Sequence, residues 1–316
     1  MKLKHSLSAL KLSPLVKVIF PVLALASAAL RFLQVKTVMD PSTGFYTQSS
    51  PLTWAVNILM LGGACLMILW CYLSEQTESL QTMPYKSTPV FAATLVFSLV
   101  LLARAALCFA DFSKAVSGYG LRSAKELMST GALPLLFQSV FALLSAVYFI
   151  FVAVSYLKGT SLAAKHRLLA LAPTAWIAAR MLHLFVRKIS FMKVSDLFFE
   201  LMACMCMILF FLAFAQVTSG VYSTGMAWRL VGFGLPAALL TIGVQLPRLV
   251  LTFLENGRFL NENHSFIGTD LCFGIVVFGL SLLLLHAPKV PQSEKTAAKA
   301  QPSPLDDISP VSFGND

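Results

Sequence analysis

Long apolar runs alternate with short polar breaks along almost the whole chain. A helix needs about 20 predominantly apolar residues to cross a bilayer. That requirement places eight spans, at 15–34, 52–73, 89–110, 132–157, 168–187, 197–217, 227–253 and 266–286. The connections are short, so sequence neighbours are expected to pack as antiparallel hairpins. The predicted fold is all-α: a polytopic integral membrane helix bundle of about eight transmembrane helices over 1–287. The polar stretch 288–316, rich in Pro, Ser, Lys and Ala, has too little apolar content for a packed core and is expected to be a disordered tail.

Two spans depart from the simple pattern. The seventh is longer than a bilayer needs and carries Gly232, Gly234, Pro236, Gly243 and Pro247. Residues of these types tilt, kink or locally unwind a membrane helix. The first follows Lys2, Lys4 and Lys11 and contains Ala26-Ser27-Ala28, a string resembling a signal-peptide cleavage site. Arg31 fits a pattern shared with later spans, and the first span is therefore read as a retained helix.

Composition agrees with lipid as the solvent. The 316 residues are 57% hydrophobic and 12% charged, against about 25% charged in soluble domains. The formal charge of +10 comes from 24 Lys and Arg scattered over loops, helix ends and tails. It reads as topology signal and lipid-headgroup contact, not as a nucleic-acid surface. Membrane lipid is thus an expected partner and nucleic acid is not; the tail offers a place for a protein partner. The lysines before the first span favour a cell-membrane protein with both termini cytoplasmic. All six cysteines fall inside apolar runs, where free thiols behave as small hydrophobes, and no disulfide is expected.

Each odd-numbered span carries an arginine in its last turns: Arg31, Arg104, Arg180 and Arg248, spaced by 73, 76 and 68 residues. The pattern allows four repeated helical hairpins. Helices running the same way would gather these arginines near one membrane face, as a basic set attracting anions or headgroups. Separate snorkelling arginines at helix ends are the plainer reading. Asp111 and Glu255 follow Arg104 and Arg248 by seven residues, two turns along one face.

The densest ionisable cluster spans the fifth and sixth runs. Arg180, His183 and Arg187 share one face at i, i+3 and i+7, and Asp196 and Glu200 sit at i and i+4 on the next helix. A turn near 191–192 sets Asp196 level with Arg187 and Glu200 level with His183, with Arg180 one turn deeper and within reach of Glu200. Charges at that depth must pair or line water. A proton relay, a coupling site or a static ion-pair network would each use this arrangement.

Gln245 and Arg248 flank Pro247, where a backbone carbonyl loses its partner, and broken helices of this kind line transporter sites. Met202 to Met207 invite a soft-metal reading. However, Cys204 and Cys206 would point about 200° apart on a helix, so packing is the better account. Gly62-Gly63 signals close helix contact. The stretch Asp40 to Tyr46 reads as a tight turn with interfacial aromatics, or as an outer loop that meets substrate.

No phosphate-binding loop, HExxH, GxSxG or CxxC motif is present, and His5, His166, His183, His264 and His286 have no ligand spacing. The sequence points to no catalytic residue, metal site or cofactor, and leans away from an enzyme. Transport of a small solute or ion along a polar path is the leading expectation. The alternative is a non-catalytic sensor, scaffold or assembly subunit with structural ion pairs.

Overall fold

The computed structural model describes residues 12–39, 46, 50–74, 86–119, 123–159, 162–186, 194–219, 226–254 and 267–285. Its helices are α1 (Leu12–Thr37), α2 (Pro51–Leu73), α3 (Thr88–Tyr119), the short α4 (Ala124–Ser129) and α5 (Ala132–Lys158). They are followed by α6 (Ala172–Val186), α7 (Val194–Thr218), α8 (Met226–Leu254) and α9 (Ile267–Leu285). Seven of them, α6 being counted with the 3-10 turn before it, are long and apolar enough to cross a membrane, and the apolar part of α9, Gly268–Leu284, is shorter. This is an all-α, multi-pass membrane helix bundle.

The surface shows why such a chain suits lipid. Val18, Val22, Leu25, Trp54, Ile58, Leu66, Leu69, Val96, Leu99 and Phe109 are all exposed. A soluble protein rarely presents apolar surface so continuously. Inside, Phe97, Phe149, Phe210, Phe211, Phe214 and Phe273 form an aromatic centre of edge-to-face and stacked rings with centroids 4.9–6.4 Å apart. The helices α3, α5, α7 and α9 supply those rings. With little hydrophobic drive between helices in lipid, such shape-matched contact holds the bundle together.

Packing follows the expected hairpins only in part. The pair α3 and α5 is tightly packed along its length, and α5 continues onto α6. Helix α8, by contrast, is a hub that packs against α1, α2, α7 and α9. Helices α1 and α2 meet mainly where α2 begins, and both lie along α8, so the four hairpins are not packed alike. The glycines of α8 explain the hub. A Cβ at Gly234 would come within 2.9 Å of both Phe210 and Val277, and one at Gly243 within 2.9 Å of Met60. Small residues at these points let neighbouring backbones approach. Gly63 plays the same part in α2, where a Cβ would stand 2.5 Å from Leu23.

Local geometry departs from expectation at the prolines. Helix α8 runs unbroken through Pro236 and Pro247, so the broken-helix expectation for Gln245, Pro247 and Arg248 is corrected. Small neighbours and side-chain hydroxyls in a membrane bundle tolerate a proline that would stop a soluble helix. The irregular turns lie elsewhere. A π-helical turn at Leu15–Ile19 precedes Pro21, and the Phe20 N–H there donates to the Leu15 carbonyl. A second π turn, Ile58–Gly62, precedes Gly63. Helix α3 has 32 residues, or about 48 Å at 1.5 Å per residue, and outruns the span expected at 89–110. Its far end is polar: Asp111 pairs with Lys114 at 3.9 Å.

Candidate functional site

Helices α6, α7, α8 and α9 meet at one polar node. Arg180, two turns from the end of α6, donates from Nη1 to Asp270 Oδ1 at 2.7 Å and from Nη2 to Asp270 Oδ2 at 2.9 Å. The same Nη2 donates to Glu200 Oε1 on α7 at 2.6 Å. Gln245 of α8 donates from Nε2 to Asp270 Oδ2 at 3.0 Å. The planar guanidinium thus grips one carboxylate with two prongs and reaches a second with one, the geometry for which arginine is suited.

Burial at the node is nearly complete, with relative exposures of 4% for Arg180, 9% for Glu200, 1% for Asp270 and 2% for Gln245. Charges so placed are tolerated only when paired and hydrogen-bonded. Beside them lies a cavity of about 10 Å³, bounded by Arg180, Glu200, Thr241, Gln245 and Asp270 on its polar side and by Phe199, Met207 and Leu240 among its apolar lining. That is room for a single water molecule. The Nε of Arg180 is buried and has no hydrogen-bond partner among the described residues.

A second polar group adjoins the first. Ser27, Arg31 and Gln34 lie on one buried face of α1, at i, i+4 and i+7. Arg31 Nη1 donates to Gln34 Oε1 and to the Tyr46 hydroxyl, the latter at 3.2 Å. Its guanidinium lies 5.6 Å from the centre of the Phe199 ring, a cation–π contact one residue before Glu200. Tyr46 also bridges back to Met39, which ties the connection after α1 to this group.

No protein-family model, curated protein or solved structure matches the chain. The site itself therefore carries the functional argument.

Arg180 and Glu200, placed within reach of each other by sequence spacing, are directly bonded. His183 instead has Nδ1 3.3 Å from the Gly131 carbonyl, which the left-handed turn at Gly131 (φ 77°) presents to it. Arg187 and the side chain of Asp196 lie outside the described residues. Of the basic set, Arg31 and Arg180 flank the Phe199–Glu200 step of α7, while Arg104 is half-buried on α3 and Arg248 half-buried on α8, one turn beyond Gln245. Glu255, residues 40–45 and the tail are also outside the described set. On α7, Cys204 and Met207 face the interior and Met205 is exposed. Among the described residues, no group of three or more His, Cys, Asp or Glu is close enough to hold a metal ion.

Asp270 is the residue that sequence spacing missed. It lies 90 positions from Arg180, and no periodic rule links helices that far apart. A signal existed, since Asp270 is a lone carboxylate in the first turn of an otherwise apolar span, and an acid there demands a buried partner.

Proposed function

We propose that this multi-pass membrane protein moves a small solute or an ion through its helix bundle. The Arg180–Glu200–Asp270 node is the part that opens and closes. One observation carries the reading: a single buried guanidinium holds carboxylates from two other helices, beside a cavity the size of one water. Ionisable groups inside a membrane bundle are costly and mark ion or substrate paths. Bonds of this kind exchange partners, because a passenger bearing charge or donors can replace one of them. In the present state the cavity admits water and nothing larger, which corresponds to a closed path.

The sensor, scaffold or assembly-subunit reading is favoured by a different observation. The bonds among Arg180, Glu200, Gln245 and Asp270 tie four helices together, as a structural lock would. The two readings part in one experiment. Full-length protein in liposomes is fused to a solid-supported membrane and given jumps in pH, Na⁺, K⁺ and Cl⁻, wild type beside Glu200→Gln. Transport gives a transient current for at least one ion in the wild type, lost in the variant. A lock gives no current in either, and a lower melting temperature for the variant.

A further inference from the structure

We infer that the ion handled at this node is a proton, and that Glu200 is the side chain that takes and releases it. The inference rests on the transport reading above and deepens it. Three observations support it independently of one another.

The first is the asymmetry of the two carboxylates. Asp270 receives three hydrogen bonds, two from Arg180 and one from Gln245, spread over both oxygens. Arg180 itself grips Asp270 with two prongs and reaches Glu200 with one. A single-point bond is released more easily than a fork, so a change at Glu200 leaves the Arg180–Asp270 grip intact. The second is the cavity, which Glu200 and Arg180 both line and which fits one water molecule. Water of that kind delivers a proton to a buried carboxylate. The third is that Arg180 Nε, fully buried, has no hydrogen-bond partner among the described residues. A water in the adjoining cavity would supply the acceptor that a buried donor requires.

A metal cation fits these facts poorly. The two carboxylates are engaged with Arg180, and oxygen-ligated cations call for six or more donors. A proton needs only one oxygen.

A hydronium in the cavity gives its proton to a Glu200 oxygen, an O–H bond forms, and water remains. Glu200 becomes neutral, its charge-assisted bond to Arg180 weakens, and Arg180 stays with Asp270. Loss of the proton to water on the other side of the cycle restores the bond. The groups facing Glu200 and Arg180 set this equilibrium: Asp270 on α9, Gln245 on α8, Cys204 on α7, Cys108 on α3, and Arg31 on α1 through Phe199.

The test uses the full chain in lipid. Infrared difference spectra between acid and alkaline pH report the carbonyl stretch of a protonated carboxyl group. We expect a titrating band that shifts on ¹³C-glutamate labelling, does not shift on ¹³C-aspartate labelling, and is absent from Glu200→Gln. Labelling of the wild type keeps the test usable if the variant fails to fold, and Glu200→Asp should restore a band of the aspartate type. A pH jump should drive a transient current that falls to the level of empty liposomes in Glu200→Gln. The proton assignment is overturned if no glutamate carboxyl titrates in the wild type, or if the band survives in Glu200→Gln. Currents driven by Na⁺ or Cl⁻ alone would then leave the transport reading standing without it. A Glu200 band with no current under any ion jump would instead overturn transport and keep the proton site.

Discussion

At the scale of single residues, the strongest dependence falls on Arg180. Removing one partner of a buried ion pair leaves the others uncompensated, at a cost of about 3–5 kcal/mol. Arg180→Ala strands both Asp270 and Glu200, so its melting temperature in detergent should drop further than that of Glu200→Gln. Arg180→Lys keeps the charge but loses the fork, and should fall between the two. A variant of Arg180→Ala that melts with the wild type would show that the node does not hold the helices together. Arg31 offers a separate reading. Its contacts with Tyr46 and Phe199 join the connection after α1 to α7. Phe199→Leu should therefore remove a cation–π contact of about 0.5–2 kcal/mol, checked by melting beside Phe198→Leu, whose side chain is exposed.

At the scale of elements, α3 and α5 are stitched by hydroxyls that donate across the interface. Ser98 reaches the Ala146 carbonyl at 2.9 Å and Ser139 the Ala105 carbonyl at 2.8 Å. The two bonds run in opposite directions between antiparallel helices, one donated from each. Interhelical bonds of this type average about 0.6 kcal/mol in membranes. Ser98→Ala and Ser139→Ala should each cost about that much and add in the double variant, since they share no partner. The hub helix α8 is more sensitive to bulk. Gly234→Leu would push α7 and α9 away from it at Phe210 and Val277. Overpacking of this sort costs about 1–3 kcal/mol, and a refolding titration in mixed micelles would measure it. The hairpin rule failed here for a physical reason. Short connections put sequence neighbours side by side, but the small residues of α8 offer closer contact than α1 and α2 offer each other.

At the scale of the whole molecule, the polar node and the Arg31 group fall in one half of the bundle. Arg31 and Arg180 lie near the ends of helices, and Asp270 lies near the start of one. The opposite half is dominated by rings such as Phe149, Phe211 and Phe214 together with Tyr148, whose hydroxyl meets Thr218 at 2.6 Å. A path through the molecule must therefore part aromatic side chains on one side and ion pairs on the other. If both termini are cytoplasmic, the node faces outward. Cysteines placed at Lys2 and Asp316 should then react with a membrane-impermeant maleimide only after the cells are opened, and labelling of intact cells would reverse the assignment.

The sequence alone determined the lipid-borne, all-helical character of this protein and the approximate place of its membrane helices. Spans of about 20 apolar residues have no other stable solvent, and in hydrocarbon the backbone must satisfy itself within each helix. It also determined that Arg180 and Glu200 come within reach, because a short connection and helical spacing suffice for neighbours. Tertiary structure alone decided that Asp270, from the far end of the chain, holds Arg180 in a fork. It also decided that His183 turns to Gly131 and that α8 is the hub. These outcomes depend on which helix faces which, and that is set by the fit of glycines, rings and hydroxyls across the bundle rather than by any period along one chain.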